Sequence, residues 1–300
     1  MAEAMGTARP GRRRPTLAPY VFVAPFYVLF SMFMAYPLLS SIWTSLHYQR
    51  STQSSVFVGL MNYRDLFTDW DFWQAVLNTT YFTLASLVVQ IPFALALAIV
   101  VNSKLLRGRN FFRLAFFSPT LVAGVFVAII FRQLYATQSG LINNLLVALG
   151  AHGRIAWLEK PALIMPAIVL MGVWKSMGFN MLYFLAGLQG IRQELYEAAQ
   201  VDGASKWQAF CHVTMPSLRP ILTFVIIMSV IGSLQLFDMP YVLCGEGPGG
   251  WARTIVMYLY RNFESSELGL ACATGWSLAM MIFLVTLLQL RMLRAFQEEK

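Results

Sequence analysis

Six stretches of this chain are apolar, almost free of charge, and as long as a membrane-crossing helix. They lie at roughly 19–43, 77–102, 114–134, 162–188, 218–240 and 268–290. A helix needs about 20 mostly apolar residues to cross the hydrocarbon core of a bilayer. Lipid offers no partner to a free backbone group, so a span must satisfy its own hydrogen bonds. Of the 300 residues 58% are hydrophobic and 12% charged, against roughly 25% charged in soluble domains. The pattern predicts an all-α integral membrane protein with six transmembrane helices.

The first run is uncharged from 17 to 46 and follows a basic head, Arg12-Arg13-Arg14. A signal h-region is about 7–15 residues long, so this run is expected to stay as the first span. Prolines 25, 37, 92, 119 and 166 are expected to kink the helices that hold them, which neighbouring helices tolerate by satisfying the freed carbonyls.

The net charge of +8 needs no nucleic acid. The N-terminus, the 103–113 loop, the 189–219 insert and the tail together carry fourteen Lys and Arg, against seven in the alternate segments. Positive charge collects on the cytoplasmic side, so both termini and the insert are expected there. The longer polar stretches 47–74, 135–161 and 241–267 then lie outside. Cys211, Cys244 and Cys272 form no C-x-x-C pair, and His47, His152 and His212 form no H-E-x-x-H, so no metal site is expected. No G-x-x-x-x-G-K-[ST] occurs to cradle ATP phosphates, and no nucleophile elbow or carboxylate pair supplies a catalytic group.

The insert "ELYEAAQVDGASKWQAFCHVTMPSLRP" interrupts the apolar pattern. Ile191, Leu195 and Ala198 fall at helical spacing. Asp202-Gly203 breaks the pattern, and glycine adopts backbone conformations a side chain resists. Ala204, Trp207, Phe210 and Thr214 resume it, and Pro216 and Pro220 are expected to open the next span. The small residues Ala198, Ala199, Gly203 and Ala204 keep the turn slim, and Glu197 offers a charge to whatever approaches. An interfacial helix resting on headgroups is the alternative, but Glu194, Glu197 and Asp202 would be repelled by anionic lipid.

Polar groups within spans are candidate functional groups, because lipid makes them costly. Span four holds Trp174, Lys175, Ser176 and Asn180. Span five holds Ser229, Gly232, Ser233, Gln235 and Asp238, the last being the only acid in the six spans. Gly172-x-x-x-Ser176 also reads as helix packing, since small residues at this spacing let helices approach. Lys175 must face water, a carboxylate or carbonyls, either in structural pairing with a neighbouring subunit or in binding an anionic group.

"EAAQVDGASKWQAFCHVTMP" resembles the signature of membrane subunits of binding-protein-dependent ABC importers: E-A-A, a glycine after three residues, then I-x-L-P. Glu197-Ala198-Ala199, Gly203 and Pro216 match, with Val213 and Met215 in place of Ile and Leu. "APYVFVAPFYVLFSMFMAYPLLSSIWTSL", "FVGLMNYRDLF", "VWKSMGFNMLYFLAGLQGI" and "FDMPYVLCGEGPGGWARTIVMYLYRNF" are similar to the carbohydrate branch, the maltose-type and glycerol-phosphate-type permeases. Cys244 stands where Thr is common and Glu246 where Gly is common, departures expected to matter little in an outer loop. The resemblance covers nearly all of 17–295.

It implies the ABC importer type I (MetI-like) permease fold. The expected layout is a cytoplasmic tail (1–16), a first transmembrane helix (17–46), an extracytoplasmic loop (47–74), a transmembrane core (75–291) with a cytoplasmic coupling loop (191–216), and a tail (292–300). It implies that Glu197, Ala198, Ala199, Asp202, Gly203 and Ala204 seat in a partner ATPase, which binds ATP and Mg, with no cofactor on this chain. It implies a second homologous permease, two copies of the ATPase and an extracytoplasmic solute-binding protein, in a bacterial plasma membrane. In the maltose-type subunit, sugar contacts come from near the positions held here by Ser176, Phe179, Gly232 and Gln235. The expected cargo is a sugar or related polyol. Glycerol-3-phosphate, glycerophosphodiesters and amino sugars are the alternatives, and a secondary transporter is the alternative class.

Overall fold

The computed structural model describes residues 18–49, 55–103 and 106–298. The tail 1–16, Arg50, Lys104 and Lys300 lie outside the described residues. So do the side chains of 292–298.

The first span is α1 (Ala18–Phe30), a π-helical turn (Ser31–Ala35) and α2 (Tyr36–Ser45). Its widened turn stands just before Pro37, and inserted π turns are a usual device for continuing a helix past an irregularity. No residue in its most apolar window is buried. In water that would be untenable; in a bilayer lipid tails solvate the side chains, and helices associate by packing rather than by apolar burial. At one end, β1 (His47–Gln49) pairs antiparallel with β2 (Ser55–Phe57), His47 opposite Phe57. Then α3 (Met61–Thr68) returns, and Asn62 Nδ2 donates to the Ser45 and His47 carbonyls at 2.7 and 3.0 Å.

The centre is α4 (Trp70–Asn102) packed along α8 (Pro161–Gly190). Asp69 caps α4 by accepting from the Asp71 amide at 2.9 Å. Helix α4 begins at Trp70, earlier than the 77 expected from apolarity, because this capped polar turn extends it.

The third expected span is two helices. α5 (Arg109–Leu121) and α6 (Gly124–Leu134) meet at 97° across extended Val122 and Ala123. Pro119 donates no backbone bond, and Ser118 Oγ instead donates to the Ala115 carbonyl at 3.0 Å. Among the described residues five helices are therefore long and apolar enough to span, six if this bent pair counts as one. Helix α5 lies close to α8 at Gly178, where a Cβ would collide with the Phe116 carbonyl. A Cβ at Gly172 would come within 2.9 Å of the Phe82 ring of α4, so both glycines let a neighbour approach α8, Gly178 with backbone and Gly172 with a ring.

After α7 (Leu141–Ala148) and α8 come α9 (Gln193–Val201) and α10 (Lys206–Ala209). A π turn (Phe210–Thr214) leads into α11 (Met215–Leu234). From Lys206 to Leu234 the helix is continuous. Pro216 therefore does not open the fifth span, as expected, but sits inside it beside the π turn. The span also stops at Leu234, short of 240, and α12 (Asp238–Cys244) is separate. A 3₁₀ turn (Pro248–Gly250), α13 (Ile255–Glu264) and α14 (Leu268–Glu298) complete the chain.

Three apolar clusters hold the bundle. One joins α6, α8 and α12 through Val127, Ile168 and Leu243. One joins α4, α8 and α11 at the end nearest the insert through Ala98, Phe184 and Leu218. The third joins α3, α4, α11, α13 and α14 through Leu66, Phe72, Ile255 and Leu278.

Candidate functional site

The first candidate region is the turn between α9 and α10. Helix α9 ends as the Asp202 amide bonds the Ala198 carbonyl at 3.0 Å and the Ala204 amide bonds the Ala199 carbonyl at 2.9 Å. Gly203 at φ +77° makes this reversal, a left-handed conformation that side chains resist. Ser205 then caps α10, with Ser205 Oγ accepting from the Gln208 amide at 3.3 Å and Gln208 Oε1 accepting from the Ser205 amide at 2.8 Å. That reciprocal capping box satisfies two otherwise free donors.

Tyr196 Oη lies 2.9 Å from Thr214 Oγ1, tying α9 to the π turn. Between them is a concavity of about 490 Å³, lined by Ala198, Ala199, Asp202, Gly203 and Ala204, together with Leu195 and His212. Five of the six residues expected to seat in a partner line this one surface. Glu197 is exposed beside it, and among the described residues no cation pairs with it. Trp207 is 70% exposed, its ring stacked 5.5 Å from Phe210. Ile191 departs from the expected α9 face: it caps α8 and packs into the apolar cluster of α4, α8 and α11.

The second region is a cavity of about 270 Å³ among α4, α5, α8, α11 and α12. Ser176, Phe179, Asn180 and Gly232 line it, and Asn180 Nδ2 donates to Ser229 Oγ at 3.2 Å. Phe179 and Tyr183 rings meet edge-to-face at 4.9 Å. The wall is aromatic rings, hydroxyls and amides without a charge. Such a surface suits a neutral polyol, whose apolar ring faces stack while its hydroxyls bond.

Four expected pathway residues are not on this wall. Trp174 packs against Phe131, ring centroids 5.4 Å apart. Lys175 is half-buried on the adjoining face of α8, and its carbonyl accepts from Thr120 Oγ1 at 3.0 Å; among the described residues no carboxylate pairs with its amine. Gln235 is exposed in the break after α11. Asp238 opens α12 and lies against Gly124 at the start of α6, where a Cβ would strike its carboxylate. Two causes act: Trp174 and Lys175 stand on faces of α8 turned away from the cavity, whereas the apolar run to 240 hid the end of α11 at Leu234 and so misplaced Gln235 and Asp238.

Gln90, Thr120 and Tyr183 line the cavity and were missed by the sequence reading. Gln90 alone gave a signal, a carboxamide in the middle of an apolar run.

At the end carrying the β-hairpin, Glu246 is no idle departure. Arg253 donates to Glu246 Oε2 from Nε and Nη2 at 2.8 and 2.6 Å. Its Nη1 lies 2.8 Å from Asp71 Oδ1, a charge contact out of hydrogen-bond alignment. Arg261 Nη1 holds the other Asp71 oxygen at 2.9 Å. Burial works against the Arg253 charge, but the Glu246 and Asp71 carboxylates outweigh it and hold its pKa above the ordinary value. Asn78 Nδ2 donates to the Gly250 and Arg253 carbonyls, both at 3.0 Å, fastening the same loop to α4.

Residues 90–298 match the family described as binding-protein-dependent transport system inner membrane component. The arabinooligosaccharides transport system permease protein of Bacillus subtilis is 40% identical, over 94% of this chain and 90% of its own. The lactose transport system permease protein of Rhizobium radiobacter is 36% identical, over 90% of this chain and 92% of its own. In the crystal structure of a bacterial alginate ABC transporter in complex with an alginate pentasaccharide-bound periplasmic protein, one chain superposes with a TM-score of 0.82. It is 25% identical, over 93% of this chain and 94% of that one. The chain belongs to this family of inner-membrane components of binding-protein-dependent transport systems, and is a permease subunit of an ABC importer.

Proposed function

We propose that this permease carries a carbohydrate, inward, across a bacterial plasma membrane. The observation that carries the cargo is the uncharged wall of rings, hydroxyls and amides around Ser176, Phe179 and Asn180. Relatives named for arabinooligosaccharides and lactose support the same class.

In this reading the slim turn at Glu197–Ala204 seats in an ATPase subunit, which binds ATP and Mg; this chain catalyses nothing. A second permease completes the bundle, two ATPase copies drive it, and an extracytoplasmic protein delivers the sugar at the end bearing Arg253. Both termini and the turn face the cytoplasm, as the Lys and Arg distribution favours. Closing of the ATPases moves the turn, and α9 passes that motion to α11 through Tyr196, Thr214 and the continuous helix from Lys206. The alternation opens the cavity to one side and then the other.

Gentle detergent purification of the tagged chain from its host tests the assembly. An ATPase, a second permease and a binding protein that retains a saccharide are the expected companions. A chain that purifies alone under conditions that preserve other such complexes defeats the reading.

A variant tests the cavity. Phe179→Ala removes the ring that would cover a sugar's apolar face. Stacked aromatic contacts contribute about 0.5–1.5 kcal/mol beyond burial, so saccharide uptake in reconstituted vesicles should fall about three- to tenfold. Unchanged uptake of every saccharide tried would place the pathway elsewhere.

A further inference from the structure

We propose that Gln90 is a specificity-determining contact of this cavity, its carboxamide bonding one hydroxyl of the carried solute. The inference rests on the carbohydrate reading and adds to it a residue of α4, a helix the pathway residues expected from sequence left out.

Helix α4 carries a buried polar stripe: Thr79, Thr83, Ser86 and Gln90. The three hydroxyls are satisfied along their own helix. Thr79 Oγ1 donates to the Ala75 carbonyl, Thr83 Oγ1 to the Thr79 carbonyl and Ser86 Oγ to the Thr83 carbonyl, at 2.8, 2.8 and 3.0 Å. Gln90 breaks the series. Its residue is only 6% exposed and lines the cavity. Among the described residues its carboxamide meets no hydrogen-bond partner.

Neither amide atom of Gln90 is among the fully buried polar atoms that lack a partner, so the carboxamide is the part of this buried residue that opens to the cavity, where a solute can meet it. A carboxamide offers two donors and an acceptor, and a sugar hydroxyl can use both kinds. The second amide on the wall, Asn180, gives one of its donors to Ser229, whereas the Gln90 carboxamide keeps its full set of donors and acceptor for the solute. Phe82 also lines the wall from α4. At 1.5 Å per residue it lies about 12 Å from Gln90 along the axis, which sets Gln90 at the far end of the cavity from α12. It would therefore bond a hydroxyl at one end of the solute and favour a saccharide that carries it.

The test uses the complete transporter in proteoliposomes with binding protein. Radiolabelled arabinobiose, lactose and maltose are the first probes, followed by single-deoxy derivatives of each sugar carried. For wild type and Gln90→Leu, transport of each parent is divided by that of each derivative. The expected result is a fall in that ratio of about tenfold at one hydroxyl position, other positions keeping theirs. Equal loss for the parent and every derivative would mean that the amide bonds the bundle or a neighbouring subunit, and would overturn the proposal. So would unchanged ratios. Gln90→Met keeps the length of the side chain and gives the same readout should the leucine variant not assemble. Failure of both to assemble makes the amide structural and also overturns it. A wild-type complex that carries no saccharide defeats the carbohydrate reading itself, whereas unchanged ratios beside a transporting wild type defeat only the Gln90 contact.

Discussion

Glu197→Lys is expected to reduce solute uptake to background while leaving the assembled protein in the membrane. Glu197 is exposed at the rim of the 490 Å³ concavity, and among the described residues no cation holds it. Its charge is therefore free for a partner and does nothing for the fold. Breaking a desolvated charge pair across an interface costs about 2–5 kcal/mol, a loss of about 30-fold or more in occupancy. Reversal adds repulsion to that loss. Gly203→Val should do the same by another route. Gly203 sits at φ +77°, where a side chain costs about 1–2 kcal/mol and a β-branched one is an outlier, so the turn would change shape. Uptake and membrane abundance of both variants in whole cells give the check. Normal uptake by both would remove the turn from the coupling step. Loss of the protein itself would show that the turn holds the fold together instead.

Arg253→Met should destabilise the permease without touching the cavity. The Arg253 side chain is 8% exposed and lies between Asp71 and Glu246. Removing one member of a buried ion pair costs about 3–5 kcal/mol, because the remaining charge stays buried without its partner. Here Asp71 and Glu246 keep 40% and 31% of their side chains exposed, so water screens them and about 2 kcal/mol is the expected loss. Only Arg261 would remain to separate the two carboxylates. The thermal aggregation midpoint of the purified protein should drop by several degrees. Glu246→Gly should drop it less, since Asp71 still holds Arg253. A midpoint unmoved by Arg253→Met would mean that the hydrogen bonds from Asn78 and Gln74 carry the loop without the ion pairs.

The turn between α9 and α10 was largely legible because its information is local. Glycine at a reversal and small residues around it act within a few bonds of one another, while the Ser205–Gln208 capping box, equally local, was not read. The cavity was half legible. Ser176 and Asn180 stand out as polar groups in an apolar helix, whereas Phe179 came from the family resemblance and Gly232 was supported by it. Gln235 and Asp238 were misplaced because hydropathy does not register where a helix stops. The run to 240 stays apolar through the break after Leu234, and Pro119 gave no measure of the 97° bend that follows it. Glu246 was misjudged for a different reason: it shares Arg253 with Asp71, and Asp71 lies 175 residues away from it, where no local pattern joins them.

The sequence by itself determined the class, the helices and the turn, because the backbone must satisfy itself in lipid and because a glycine reversal is set by its own dihedral angles. Which helix faces the cavity, where the third span breaks, that Gly178 lets the backbone of α5 touch α8, and that Gln90 opens into the cavity were decided only by the tertiary structure. In a bilayer most side chains are apolar whether they face lipid or protein, so periodicity carries little record of which face is buried, and only packing assigns it.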